Sequence, residues 1–518
     1  MDAKETVRGL GSPARDQAWP LGPLLAAALL IRLVSLDQPI VENYVGRQVP
    51  TAMVARNLER GAGLLHPQLD TAPFPNYFLV EPPLYEWGVV AVRRATGLTL
   101  GAAGRLVSAL ATAAAGWGLF ALIRRREGRR AAGLAVGAFA VFPLTLRYGR
   151  AVQPDAAMLG AAVAGLACWD RFQSGRRWSW LAAGWLLLAL GFALKILAAC
   201  LLLPLIVVVQ RRWRIAEVLA ALSALLPALL WYAWAHCLLL EGGGSRASAD
   251  NRAIWLGLVG PSALLRLETW ERIGHFVCVR AFTPLGVLLA VWGLLCRAGR
   301  SSAGAGASRD GSCAGPGRLW QVWMVAAAAM LAMLAPKLHH EYYFLILAPG
   351  VAAGIGSALD RLVTGGQRCV AVALGIGLVL LGGLQARSTW RTPPEWADLE
   401  AAAGVVARTV PPDAWVVAPE ALLFEADRRG CRLEWTAAAV RRAAGEWGAG
   451  REVPDAAALV EFYRLQGAGY FADLGDRGDD PRRMALHEAV RRRYKVMVDR
   501  GEVLIAELVV AEALSHAQ

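Results

Sequence analysis

Long apolar runs recur along most of this sequence, and they constrain its fold more than any other feature. The runs consist mainly of Leu, Ala, Val and Gly. Each is long enough to cross a hydrocarbon core of roughly 30 Å as a helix with some tilt. Hydrophobic residues make up 56% of the 518 residues, which is too many for an ordinary soluble globule. The chain is therefore predicted to be a mainly α-helical, polytopic membrane protein.

About eleven membrane-spanning helices are predicted from these runs. Their predicted starts lie near Leu21, Gly101, Ala131, Asp155, Trp178, Ile196, Ile215, Ala281, Leu319, Phe344 and Val370. The first run is not followed by a small-residue cleavage site, so it is expected to be a retained signal anchor.

The basic residues predict how the chain is oriented in the membrane. The net charge is +13, and much of it lies in short clusters between alternate spans. These clusters are Arg124–Arg126 with Arg129 and Arg130, Arg176 with Arg177, residues 211–214, residues 297–318, and Arg361 with Arg368. By the positive-inside rule, all of them are cytoplasmic only if the N-terminus is inside and the C-terminus outside. This pattern favours a multi-pass protein of the inner (plasma) membrane over a nucleic-acid-binding protein.

This orientation divides the chain into two predicted domains. Residues 1–390 form the membrane domain, with a long first external loop at 37–100, and residues 391–518 form an extracytoplasmic α/β domain. Strands are expected at Ala414–Ala418, Tyr470–Leu474, Lys495–Val498 and Val503–Leu508 because these short apolar runs are separated by helical patterns.

Ionisable residues cluster in the segments predicted to lie outside. Such residues are costly near hydrocarbon, so their presence there indicates a role. The first external loop contains Glu42, then Arg47-Gln48 at the start of a helical pattern, and then Glu81 just ahead of two prolines.

Two shorter external segments also contain charged residues. Arg147, Arg150 and Gln153 precede Asp155, which begins the fourth span, and Lys195 lies alone between two apolar spans. Asp155 could simply favour a helix N-terminus, and Lys195 could snorkel to the membrane surface. The two arginines and Gln153 crowded beside Asp155 favour a functional role for it, and a lone Lys beside acidic and basic loops also suits a phosphate.

A fourth segment precedes a late span and reads Lys337-Leu338-His339-His340-Glu341-Tyr342-Tyr343. Consecutive residues do not face one another on a helix, so this segment is not expected to bind a metal. The tyrosines could alternatively belong to an interfacial aromatic belt.

Taken together, these segments resemble the GT-C glycosyltransferases, in the branch that contains the protein O-mannosyltransferases and the lipid A aminoarabinose transferase. The resemblance rests on the order and sidedness of Arg-Gln, Glu-Pro-Pro-Leu-Tyr, Gln-Pro-Asp, Leu-Lys and His-Glu-Tyr-Tyr. It implies a GT-C-like helix bundle, a polyprenyl-phosphate-linked sugar donor, and inverting transfer without metal or cofactor. The acceptor could be a lipid, a glycan or a protein.

The chain departs from this family at two positions. Relatives commonly carry an Asp-Glu pair where this chain reads Arg47-Gln48, so that Glu42 is the nearest upstream acid. In the lipid A branch, Lys precedes the double proline, whereas this chain has Glu81. The base and the class of acceptor are therefore left open by the resemblance.

Sugar transfer needs a carboxylate that accepts the acceptor's proton and cations that neutralise the departing phosphate. Glu42 is the predicted base, with Asp155 and Glu81 as substitutes or acceptor-binding groups. The remaining predicted substrate-binding residues are Arg47, Gln48, Arg147, Arg150, Lys195, Lys337, His340, Glu341, Tyr342 and Tyr343.

A transporter or flippase of a lipid-linked sugar is the main alternative. Such a protein typically has polar residues or broken helices at mid-membrane. Here the span interiors are almost entirely Ala, Leu, Val and Gly, with charges at their ends. This distribution favours the glycosyltransferase.

Overall fold

The computed structural model of the chain describes residues 21–40, 45–209, 214–241, 259–303, 318–448, 453–475 and 480–510. Helices begin within a few residues of each predicted span start. The N-terminal half contains α1 (Leu21–Leu33), α2 (Val45–Glu59), α3 (Leu84–Thr96), α4 (Leu100–Glu127), α5 (Arg129–Val141), α6 (Pro143–Tyr148), α7 (Asp155–Gly175), α8 (Trp178–Leu194), α9 (Leu202–Val209), α10 (Ile215–Ser223) and α11 (Leu226–Glu241).

The helices continue after the 242–258 gap with α12 (Leu267–His275), α13 (Pro284–Ala303), α14 (Arg318–Met333), α15 (Ala348–Thr364) and α16 (Arg368–Ala386). A short 3₁₀ segment at Ile196–Leu201 precedes α9 in the N-terminal half. After the gap, short 3₁₀ or π segments lie at Pro261–Leu265, Phe276–Ala281, Ala335–Lys337, Glu341–Leu347 and Arg387–Trp390.

Several of these helices are suited to a membrane. Among the described residues, four helical stretches are long and apolar enough to cross it, namely Leu100–Glu127, Ile215–Glu241, Glu341–Thr364 and Arg368–Thr409. A fifth forms if the bent pair Leu267–Ala281 and Pro284–Cys296 counts as one span, and four further apolar helices are shorter. The total of about eleven crossings and the sidedness of the termini stay predictions.

Small residues allow the central helices to pack closely. A Cβ atom added to Gly160 of α7 would lie 2.3 Å from the carbonyl oxygen of Ala111 in α4. At Gly293 of α13, an added Cβ would lie 1.9 Å from the carbonyl oxygen of Gly354 in α15. Without a hydrophobic force between helices in lipid, such close backbone approach supplies the packing energy.

The C-terminal part folds around a five-stranded mixed sheet of order β2-β1-β3-β5-β4. The strands are β1 (Val416–Ala418), β2 (Gly430–Arg432), β3 (Tyr470–Leu474), β4 (Tyr494–Arg500) and β5 (Val503–Val510). The helices are α17 (Pro394–Thr409), α18 (Glu420–Glu425), α19 (Ala437–Gly445), α20 (Ala456–Leu465) and α21 (Pro481–Arg493). We refer to residues 391–510 as the C-terminal segment.

The sheet is parallel on one side and antiparallel on the other. The strand β1 pairs in parallel with β2 and β3, whereas β5 pairs antiparallel with both β3 and β4. Four strands lie where the apolar runs predicted them. The sequence did not indicate β2, because a three-residue strand is too short to show an alternating pattern. That the C-terminal segment is extracytoplasmic stays a prediction.

We expect Gly160→Ala to lower the thermal unfolding midpoint of the purified protein in detergent, because the added methyl group would collide with the backbone of α4. Overpacking of this kind typically costs about 1–3 kcal/mol. Gly137→Ala is the matched control, because a Cβ added there meets nothing within 4 Å. Equal midpoints for the two variants would contradict the close α4–α7 contact.

Candidate active site

The helix α2 brings Arg47 into contact with the residue before the double proline. Arg47 forms an ion pair with Glu81, and both side chains are buried. The guanidinium carbon of Arg47 also lies 4.9 Å from the centre of the Phe78 ring. Glu42, the predicted base, lies outside the described residues, in the gap just before α2 begins.

Glu81 lies in a low-dielectric environment that opposes its ionisation. Burial raises the pKa of its carboxyl group, while the positive charges of Arg47 and Lys195 oppose that shift. Glu81 can therefore be paired with a cation and still keep more basicity than an exposed carboxylate.

Asp155 and Lys195 come from different helices and bind each other. The Lys195 ammonium group lies 2.7 Å from Oδ1 of Asp155, whose side chain is fully buried at the start of α7. The same ammonium group lies 4.3 Å from the centre of the Tyr342 ring and 5.0 Å from that of Tyr343. Lys195 is therefore buried over two aromatic rings rather than snorkelling to the membrane surface.

The segment before α15 contributes a second lysine and a neutral histidine. Lys337 is buried close enough to Lys195 to interact with it electrostatically, and burial together with that like charge lowers its pKa. The His340 ring stacks on Tyr342 with centroids 5.1 Å apart. Burial, reinforced by neighbouring positive charges, lowers the pKa of His340 to about 3, so the imidazole is neutral at physiological pH.

Electrostatic contacts join these residues into one group. Arg47 interacts with Asp155 and Tyr342 as well as with its partner Glu81, and Glu81 interacts with both lysines. We call this group the charged cluster. Its members are Arg47, Glu81, Asp155, Lys195, Lys337, Tyr342 and Tyr343.

Glu341 and Arg147, both predicted to bind substrate, take part in an internal ion-pair network. The Glu341 carboxylate lies between Arg280 and Arg147, with Nη1 of Arg147 at 3.2 Å. Arg147 also donates hydrogen bonds to the carbonyl oxygens of Arg280 and Gln385, at 2.9 and 2.8 Å. This network fixes the start of the 3₁₀ turn that carries Tyr342.

Two other predicted substrate-binding residues form hydrogen bonds with the backbone. Arg150 donates to the carbonyl oxygens of Thr389 and Ser35, at 3.1 and 2.7 Å. The side-chain oxygen of Gln48 accepts a hydrogen bond of 2.8 Å from the amide of Val152. These bonds hold α2, the segment before α7 and the end of the last membrane helix together, so Arg150 and Gln48 brace the site in this structure.

Sequence reasoning missed three residues near the charged cluster. Glu86 is buried in the first turn of α3, where burial raises its pKa to about 8, and it interacts electrostatically with Glu81 and Arg47. A carboxylate in the first turn of a helix is favoured by the helix dipole, so its sequence position carries no distinct functional signal. Tyr232 approaches from inside an apolar span and Arg280 from an irregular segment, and neither position shows a recognisable pattern.

Metal binding was not expected here. Within the described ranges, no three His, Cys, Asp or Glu side chains come together as a metal site requires. The expectation that transfer needs neither metal nor cofactor stays a prediction.

Comparison with known proteins gives one family match. Residues 80–236 match the model of the family described as dolichyl-phosphate-mannose-protein mannosyltransferase. This stretch includes Glu81, Asp155 and Lys195. No curated protein sequence matches the chain.

The fold is shared with solved membrane glycosyltransferases. ArnT from Cupriavidus metallidurans, in a crystal structure bound to undecaprenyl phosphate, is 17% identical with a TM-score of 0.61, and the match covers 94% of this chain and 98% of ArnT. AglB, the oligosaccharyltransferase of Archaeoglobus fulgidus, in complex with an inhibitory peptide and a dolichol-phosphate, is 13% identical with a TM-score of 0.53, covering 93% and 73%.

The mycobacterial arabinofuranosyltransferase AftD is 16% identical with a TM-score of 0.54, and the match covers 98% of this chain but 41% of AftD. All three proteins are GT-C glycosyltransferases. The family match and the shared architecture therefore confirm the resemblance predicted from the sequence: this chain has the GT-C fold.

Proposed function

We propose that this protein is a membrane glycosyltransferase that moves a sugar from a polyprenyl-phosphate carrier to an acceptor on the extracytoplasmic face. The observation that carries the proposal is the charged cluster, in which five ionisable side chains from separate segments are buried together beside two tyrosines. Burying so many charges costs stability, so their presence together indicates a ligand or a reaction that they serve. The lipid phosphates in the ArnT and AglB structures support a lipid-linked donor.

The cations of the cluster are suited to a phosphate. Lys195 and Lys337 are like charges buried close together, and an anion between them would relieve their repulsion. The guanidinium group of Arg47 can form bidentate hydrogen bonds to two phosphate oxygens. We assign these three residues to the donor phosphate, with Tyr342 and Tyr343 beside it.

The three carboxylates have different roles in this proposal: one is the base, and the other two pair with cations. Asp155 is bonded to Lys195, so its first role is to orient that ammonium group. Its Oδ2 atom accepts no hydrogen bond from the described residues and could bind an acceptor hydroxyl. Glu42 remains our assignment for the base, and Glu81 is the substitute because burial raises its pKa.

The reaction follows from these roles. The acceptor oxygen or nitrogen forms a bond to the anomeric carbon while the bond from that carbon to the phosphate oxygen breaks. The bonding electrons leave with the polyprenyl phosphate, whose developing charge the cations stabilise. The acceptor's proton passes to the carboxylate base. Inversion of the anomeric carbon is what the family resemblance implies.

We expect Glu42→Gln to reduce turnover by on the order of 10²- to 10⁴-fold while donor binding is largely kept, because the amide keeps the shape but loses the basicity. Turnover is measured as transfer from a synthetic polyprenyl-phosphate sugar in detergent. Glu81→Gln and Asp155→Asn are assayed alongside.

Wild-type turnover in Glu42→Gln combined with an inactive Glu81→Gln or Asp155→Asn would move the base to that residue. Full activity in all three variants would overturn the carboxylate mechanism. A wild-type protein that translocates the lipid-linked sugar without transferring it would instead support the flippase alternative.

We expect Lys195→Met and Lys337→Met each to weaken donor binding by at least roughly tenfold, because charge-assisted contacts to phosphate also act in the ground state. Binding of polyprenyl phosphate to purified protein gives the dissociation constant. Since Lys195→Met leaves Asp155 buried without its partner, Lys195→Met/Asp155→Asn is included to separate lost binding from misfolding.

Lys495→Met is the control for this series, because Lys495 pairs with Glu507 on the C-terminal sheet and lies outside the charged cluster. If both cluster lysines can be removed with no change in affinity, they do not hold the phosphate.

A further inference from the structure

The C-terminal segment holds the far end of the helix that carries Arg47. Near the end of α2, Arg56 donates a hydrogen bond of 2.7 Å to the carbonyl oxygen of Phe424, and its guanidinium carbon lies 4.5 Å from the centre of that ring. Asp427 accepts hydrogen bonds from Arg60, at 2.7 and 2.6 Å, and lies 3.1 Å from Arg56. The end of α2 is thus bonded to α18 and the turn that follows it.

The loop after α2 is attached to the same segment by strand pairing. The amide of Gly430 donates to the carbonyl oxygen of Asp70 at 2.9 Å, and the amide of Ala72 donates back to Gly430 at 2.6 Å. These bonds form a parallel bridge between Thr71 and Gly430, so the loop adds to the sheet beside its edge strand β2. Gly430 is required there because an added Cβ would lie 1.9 Å from the carbonyl oxygen of Val416.

A buried ion pair joins these two attachments. Arg56 binds the Asp70 carboxylate at 2.6 Å, and the Asp70 side chain is 1% exposed. The amide group of Asn57 donates to the other oxygen of the same carboxylate at 3.0 Å. Displacing Arg56 would leave a buried charge unpaired, which is strongly unfavourable. The helix end, the loop and the sheet edge therefore form one rigid contact, which we call the α2 clamp.

The α2 clamp is connected along the chain to both partners of the Arg47–Glu81 ion pair. Arg47 and Arg56 are nine residues apart on one helix, about 14 Å along its axis. Glu81 follows the bridged residues Asp70–Ala72 by nine residues. The helix α2, which contains Pro50 between the two arginines, connects the clamp to Arg47, and a short loop connects it to Glu81. The C-terminal segment therefore constrains both partners of a pair inside the charged cluster.

We propose that Arg56, Arg60 and Asp427 are positioning residues, and that through them the C-terminal segment holds Arg47 and Glu81 in register for the donor phosphate. The consequence for catalysis rests on the proposed function. The mechanical part does not, because it concerns only how α2 and its loop are held in the unliganded protein.

The test reverses one charge of the clamp and then restores the pair. Asp427→Arg places a cation opposite Arg56 and Arg60, whereas Arg60→Asp/Asp427→Arg rebuilds an ion pair with exchanged partners. Asp427→Asn is a milder variant in case the reversal prevents folding. Asp499→Arg is the matched control, because Asp499 is similarly exposed and binds Arg491 with both oxygens.

Two readouts are measured on the purified full-length protein in detergent. Amide hydrogen exchange across α2 reports the clamp without any substrate. Donor-dependent kinetics report its effect on the site. We expect Asp427→Arg to speed amide exchange in α2 roughly tenfold. We also expect it to lower kcat/KM for the donor roughly tenfold, and most of that loss should be a higher KM. The exchanged pair should recover part of both effects, because it restores the ion pair with residue 60 but leaves Arg56 facing a cation. Asp499→Arg should change neither.

The proposal is overturned if hydrogen exchange in α2 is the same in Asp427→Arg as in the wild type. If Asp427→Arg does not fold, the same comparison is made with Asp427→Asn. The proposal is also overturned if activity falls while exchange does not, or if the exchanged pair fails to recover either readout. If the wild-type protein transfers no sugar, the proposed function fails, and hydrogen exchange still decides whether the clamp holds α2.

Discussion

The mutual neutralisation of buried charges is the constraint on which the rest of this structure depends. Lys195 and Arg47 are placed in a low-dielectric environment where an isolated charge would be very unfavourable. Each is retained by one carboxylate, Asp155 or Glu81. A buried charge without its partner destabilises the fold more than the absence of both charges would. The segments that supply the two partners must therefore pack together. The packing of the membrane helices and the bracing of the loops that connect them both serve that requirement.

The bracing comes from bonds between side chains and backbone. Arg105, fully buried in α4, donates to the carbonyl oxygens of Leu36, Gln38 and Pro39, at 2.8, 2.5 and 2.7 Å. This fixes the chain just before the 41–44 gap, and Gln48 fixes it just after. Buried irregular backbone is tolerated only where such partners satisfy its polar groups. The same bonds that satisfy the backbone therefore also orient the loops around the charged cluster.

The sequence predicted the helices and much of the charged cluster, because long apolar runs and isolated charges beside them are strong local signals. Lys195 and Asp155 were identified in this way, although their mutual bond depends on helix packing that no local pattern encodes. Arg150 was predicted to bind substrate, and its guanidinium group donates to two backbone carbonyl oxygens. The sequence cannot separate these two roles, because an arginine looks the same in either. Arg280 and the short β2 strand had no periodic signal at all.

In the proposed mechanism, the buried cations receive the phosphate of a polyprenyl carrier. A structure of the purified protein with polyprenyl phosphate bound tests this assignment. We expect the phosphate group to lie within hydrogen-bonding distance, roughly 3 Å, of the Lys195 and Lys337 ammonium groups, with Arg47 alongside. A phosphate bound elsewhere on the protein, with Lys195 still buried against Asp155 and the tyrosines, would contradict it.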